Sequence, residues 1–194
     1  SRYLAPGLAD LHVHFSRAPV RGKEREWGSP DYLEKNTLYA FLYIANGVTT
    51  VRETWGTPQT DELAASIRAG KLPGPSVYST GPVTDGNPPS WKESRVVTNA
   101  AEAEAAVRED KARGYVGIKV YDALTPEVYR AIVDAAKVAD LPVMGHVPLA
   151  VPLEDVINAR QKSIEHIGSF LTDLSTAPWA EAAKMSGNKL FSEE

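Results

Sequence analysis

The chain has 194 residues, of which 43% are hydrophobic and 24% charged, with a net charge of −4, the size and composition of one globular domain. The signs are mixed and no basic stripe tracks a phosphate backbone. No apolar run approaches the roughly 20 residues that cross a bilayer, so neither nucleic acid nor membrane is an expected partner. Cysteine is absent, which excludes disulfides, thiolate metal sites and cysteine nucleophiles. No signal peptide is visible, and the compartment stays open between cytoplasm and periplasm.

Short apolar runs alternate with longer segments of helical period, the pattern of repeated β–α units on a parallel sheet. A first strand is predicted over Leu8–Phe15, after the breaker Pro6-Gly7. A helix over Asp31–Asn46 follows, with Leu33, Leu38, Phe41, Leu42 and Ile44 as its buried stripe. Gly47 ends it, and Val48–Arg52 make the second strand. Asp61–Ala69 is a helix closed by Gly70, and Ser76–Thr80 a third strand. The stretch Gly81–Val97, rich in Pro, Gly, Ser and Asn, reads as a long loop. Asn99–Arg113 is helical, stopped by Gly114, and Tyr115–Val120 is the fourth strand. Thr125-Pro126-Glu127 opens a helix to Ala139 with a threonine cap and a proline at its first position. Leu141–Val147 is the fifth strand, Pro152–Ala159 a short helix, Ser163–Ile167 the sixth strand and Pro178–Met185 a final helix.

The fold class expected is therefore α/β, a (β/α)8 TIM-like barrel of which the chain covers about six β–α units, since a complete barrel takes about 250 residues. Residues 1–194 are read as a partial barrel domain, with strands seven and eight and a small β-domain outside the chain.

Residues two apart on a strand share a face. Asp10, His12 and His14 then lie on one face of the first strand, and Leu11, Val13 and Phe15 on the other. If the apolar set packs on the helices, the histidines point into the barrel near its C-terminal rim, where barrel enzymes place their sites. Two imidazoles there can reach one ion. Bare His-x-His is equally compatible with two ordinary histidines. In the fourth strand Val116, Ile118 and Val120 oppose Gly117, Lys119 and Tyr121, which turns a lysine inward. Lysine is rarely buried alone, and the alternative is that Lys119 snorkels to the rim. His146 and His166 end the fifth and sixth strands, so all 4 histidines fall at strand ends.

The segment Pro6-Gly7-Leu8-Ala9-Asp10-Leu11-His12-Val13-His14 resembles the opening motif of the amidohydrolase superfamily. Gly47–Glu53, Gly117-Ile118-Lys119-Val120-Tyr121, Gly145-His146-Val147-Pro148 and Ile164-Glu165-His166 resemble later strands of its imidazolonepropionase-like and prolidase-like branch. The resemblance implies a metal-dependent hydrolase of amide-type C–N bonds, with dipeptides or cyclic amides as substrates and a metal-activated hydroxide as attacking group. By the same resemblance His12 and His14 bind one divalent ion, taken as zinc. Lys119 is carboxylated and bridges two ions, and His146 and His166 hold the second. Burial favours the neutral amine that carboxylation needs. The family's general-base aspartate comes from an eighth strand and has no counterpart here.

Esters, lactones and phosphotriesters are alternative substrates for the same site, and a catalytically silent metal-binding fragment is the rival of another class. Tyr121 is a candidate substrate contact or a packing residue. Arg52 is read as pairing with Glu53 or another strand-end acid, and Asp10 as an acceptor supporting the metal histidines. Trp27, Trp55 and Trp91 lie in loops on the active-site side. Unpaired edges at Leu8–His14 and Ser163–His166 make a homo-oligomer the expected state, with a small molecule as the other partner.

Overall fold

The computed structural model describes residues 3–15 and 31–166, the side chains of 31–35 excepted. It has two compact units, Ser1–Pro82 and Val83–Glu194. In the first unit, β1 (Leu8–Val13), α1 (Asp31–Ala45), β2 (Val48–Glu53), α2 (Pro58–Arg68) and β3 (Ser76–Ser79) follow in order, and the parallel sheet runs β1-β2-β3. The second contains β4 (Val83–Asp85), β5 (Arg95–Val96), α3 (Ala100–Ala112), β6 (Ile118–Val120), α4 (Pro126–Val138), β7 (Val143–Gly145), α5 (Leu153–Asn158) and β8 (Ser163–Ile164). Its parallel sheet runs β5-β4-β6-β7-β8. Among the described residues no helix is long and apolar enough to cross a membrane.

Helix ends follow local chemistry. The helix predicted from Thr125-Pro126 starts at Pro126, with Thr125 accepting Val128 N–H. That predicted from Asp61 starts earlier, at Pro58. Thr57 accepts Thr60 N–H at 3.2 Å, and Thr60 Oγ1 accepts Thr57 N–H at 2.7 Å, a reciprocal cap that satisfies two end donors.

Two sequence expectations are corrected. The stripe on α1 fails at three positions: Leu38, Phe41 and Leu42 are 56%, 48% and 43% exposed, while Ile44 is half-buried and the Leu33 side chain lies outside the described residues. Asn36, Ala40 and Tyr43 face the sheet instead, and Ala40 and Tyr43 pack with Val13, Phe15, Val51 and Leu63. The small Ala40 lets the helix lie close to the strands, so position outranks residue size. The other correction concerns Gly81–Val97, which is not simply a loop. It contains β4, buried at every residue, which pairs Val83 with Lys119 and Thr84 with both Val120 and Arg95. Turn-forming composition marked the bends correctly but hid the short strands between them. The Asp85 carboxylate holds these bends by accepting N–H groups from Gly86 (2.9 Å), Ser90 (2.7 Å) and Ala123 (2.7 Å).

In the second unit Ile118 and Val120 pack against Ala103, Ala106 and Val107 of α3 and Val128, Ile132 and Ala136 of α4. This is the alternation expected, with Lys119 on the opposite face. Gly145 ends β7 at φ 132, and a Cβ there would sit 2.2 Å from Val120 O. Only glycine lets β7 approach β6 so closely. The helix predicted over Pro178–Met185 lies outside the described residues.

Arg95 ties β5 to α3. Its Nη2 donates to both carboxylate oxygens of Asp110 at 2.8 Å, and Nη1 donates to Ala106 O at 3.2 Å. Asp110 has no exposed surface. Burial pushes its carboxyl from 3.8 up to about 6, against the pull of Arg95. The folded state therefore holds this proton more tightly than the unfolded chain. The group's contribution falls as pH rises from 3.8 to about 6, because the native state binds more protons there. Urea unfolding of wild type and Asp110→Asn should diverge accordingly. Between about pH 4 and about pH 7 the wild type should lose on the order of 2 kcal/mol relative to the variant.

Candidate metal centre

In the first unit His12 and His14 project to one side at the end of β1, while Val13 and Phe15 enter the core. Their Nε2 atoms lie 3.1 Å apart, with the rings edge to face at 4.8 Å. Two imidazole nitrogens this close need a proton or a cation between them. Two ligands at 2.0–2.1 Å from a tetrahedral ion stand about 3.3 Å apart, so the pair matches one edge of such a site. Leu11 does not follow Val13 and Phe15 inward. It is 57% exposed: among the described strands β1 has a sheet neighbour on one side only, and its register shifts between Asp10 and Val13.

Glu53, at the end of β2, sets this geometry. It is fully buried. Oε2 accepts Phe15 N–H at 2.6 Å, and Oε1 accepts Trp55 N–H at 2.7 Å and lies 3.4 Å from His14 Nδ1. A carboxylate facing Nδ1 favours the tautomer that leaves Nε2 available. The acceptor role expected of Asp10 takes a different form: Asp10 Oδ1 accepts the backbone N–H of His12 at 3.1 Å. Arg52 Nε donates to Leu11 O at 2.8 Å. Trp55 is buried and meets the His14 ring edge to face at 6.1 Å. Trp27 lies outside the described residues.

In the second unit Lys119 is 1% exposed, so it does not snorkel to the rim. His146 follows β7, and its backbone N–H donates to Val120 O. Its Nδ1 lies 2.8 Å from Asp122 Oδ1, and its buried Nε2 has no hydrogen-bond partner among the described residues. The ring stacks on Tyr121 at 3.9 Å and meets His166 edge to face at 5.0 Å. His166 is reached through a left-handed backbone, φ 69, and is exposed. Gln161 Nε2 donates to the carbonyls of Gly145, His146 and Ser163, while its Oε1 accepts the Tyr129 hydroxyl. One amide thus fixes the ends of β7 and β8 to α4.

The structure brings together His12 with His14, and His146 with both Tyr121 and His166. Among the described residues no group of three or more His, Asp or Glu side chains is arranged to hold a metal ion. Sequence reasoning did not find Glu53 as partner of His14, nor Asp122 or Gln161. The only signal was an acid at a strand end, and their partners lie 39 residues away for Glu53 and 24 for Asp122.

The fold has counterparts among solved structures. The chain belongs to the amidohydrolase family, whose profile matches residues 3–177, a family of hydrolases that use divalent metal ions. Its fold class is α/β, part of that family's (β/α)8 barrel. A solved bottromycin amidohydrolase is 29% identical, with a TM-score of 0.71, over 91% of this chain and 36% of its own. A Xaa-Pro dipeptidase with methionine bound in its active site is 26% identical, TM-score 0.66, over 93% of this chain and 50% of its own. An ochratoxinase from A. niger, 23% identical with a TM-score of 0.67 over 92% of this chain and 50% of its own, shares the fold. The chain thus spans between about a third and half of these proteins. No curated protein matches it significantly.

Glu53 carries a testable cost. Glu53→Ala leaves the N–H groups of Phe15 and Trp55 buried without their acceptor. At about 1–3 kcal/mol for each orphaned donor, urea unfolding should show a loss of about 2–6 kcal/mol. Glu53→Gln, which keeps one acceptor oxygen, should lose less.

Proposed function

We propose that this chain carries the metal ligands of a hydrolase that cleaves amide-type C–N bonds in small molecules, dipeptides or cyclic amides. The observation that carries the reading is the approach of His12 Nε2 to His14 Nε2, 3.1 Å, at the end of β1. The bare, buried Nε2 of His146 supports it independently. Family membership supports the hydrolase chemistry, and the likeness to a Xaa-Pro dipeptidase favours dipeptides among the substrates.

In this reading His12 and His14 hold one divalent ion, zinc being the natural choice for imidazole ligands, and His146 and His166 hold a second. Lys119, carboxylated on its amine, is a further, anionic ligand. Burial disfavours an ammonium group at this position, and carboxylation replaces it with an anion. When bound, the ions supply an activated water and polarise the scissile carbonyl. The protein's own part is to orient the imidazoles through Glu53 and to keep Lys119 from solvent. Tyr121, stacked on His146, is assigned a substrate contact.

The test is metal retention. After zinc loading and dialysis the wild type should keep bound zinc, and His14→Ala should bind more than about a hundredfold more weakly, a ligand counting for more than its supporting residues. Zinc lost from the wild type, or unchanged in His14→Ala, would sink the reading. For Lys119, loading with isotope-labelled bicarbonate should give a carbamate carbon signal that Lys119→Met lacks. A spectrum without it in the zinc-loaded wild type would reject the carboxylated lysine.

Self-association belongs to the same proposal. β1 pairs with β2 alone among the described strands, and its Leu8 and Leu11 are 62% and 57% exposed. A strand edge with apolar side chains invites pairing with a second copy. Sedimentation at micromolar concentration should show a dimer or larger species, shifted toward monomer by Leu11→Lys. A wild-type monomer would reject the association.

A further inference from the structure

We propose that Asp122 is the positioning residue that presents His146 to a divalent cation through Nε2, a role that rests on the metal reading above. A neutral imidazole carries one N–H, and an ionised carboxylate can only accept. With Asp122 Oδ1 at 2.8 Å from Nδ1, the proton sits on Nδ1 and the lone pair on Nε2. That Nε2 is buried and has no hydrogen-bond partner among the described residues. An imidazole nitrogen kept dry and proton-free is costly unless something binds there.

The backbone that carries Asp122 is itself held. Asp122 O accepts Leu149 N–H at 2.8 Å, and the next residue, Ala123, donates its N–H to buried Asp85 at 2.7 Å. Across the ring, Gln161 fixes His146 O at 3.2 Å and Tyr121 stacks on the imidazole. These bonds hold the backbone of both partners, and the Nδ1–Oδ1 contact and the stacked ring set the side chains. A packing role alone would not require a charged acceptor facing one particular nitrogen.

The role is read first without metal. In the metal-free full chain at alkaline pH, ring-nitrogen NMR of the wild type should show His146 protonated on Nδ1. Asp122→Asn can present its amide N–H to Nδ1 and should move the proton to Nε2. Asp122→Ala should leave a mixture of tautomers. Zinc affinity, read by competition with a chromogenic chelator, should fall about 10–100-fold in both variants, the usual effect of removing a ligand's carboxylate partner. Far-UV circular dichroism checks folding, and the near-isosteric Asn variant suffices if Ala does not fold. An unchanged tautomer in the variants overturns the proposal. So does a changed tautomer with unchanged zinc affinity, while leaving the metal reading intact. A wild type with the Nδ1–H tautomer but no zinc binding overturns the metal reading and the role with it.

Discussion

Where a parallel strand ends, its backbone N–H groups lose the neighbour that took them up, and a buried end must find another acceptor. In this protein buried carboxylates supply it. Glu53 takes Phe15 N–H and Trp55 N–H in the first unit, and Asp85 takes Gly86, Ser90 and Ala123 in the second. Each is fully buried, and each anchors the segment that carries a histidine or a histidine's partner. His14 follows Val13 directly and faces Glu53, while Asp122 precedes the anchored Ala123 and faces His146. The groups that close the strands are thus also the groups that aim the imidazoles.

A second consequence is electrostatic. Buried Glu53, Asp85 and Lys119 place formal charges where water cannot screen them, and such charges persist only with hydrogen bonds or counter-charges. For the two acids the backbone N–H groups do this. Lys119 lies on the face of β6 opposite Ile118 and Val120, so its burial follows from the strand pairing with β4 and β7 and not from its own chemistry.

The packing behind the rim sets its precision. Gly145 lets β7 come within contact of Val120, and Gln161 ties the ends of β7 and β8 to Tyr129 on α4. Ile132 and Val128 press the same helix on Ile118 and Val120. His146 therefore inherits its place from a core with no chemical role.

Much of this was decided locally, and so was legible in the sequence. The two-residue period of a strand settled that Val13 and Phe15 go inward away from His12 and His14, and that Ile118 and Val120 oppose Lys119. Thr125-Pro126 marked a helix start because cap and proline act within one turn. Tertiary structure decided the rest. Whether α1 buried Leu38 or Ala40 depended on how closely the helix lies on its sheet, which no periodicity of its own contains. The strands Val83–Asp85 and Arg95–Val96 exist because β6 is there to pair with, although their composition favours turns. Glu53 and Asp122 became partners of His14 and His146 across 39 and 24 residues, and only the pairing of parallel strands brings such groups within hydrogen-bond reach.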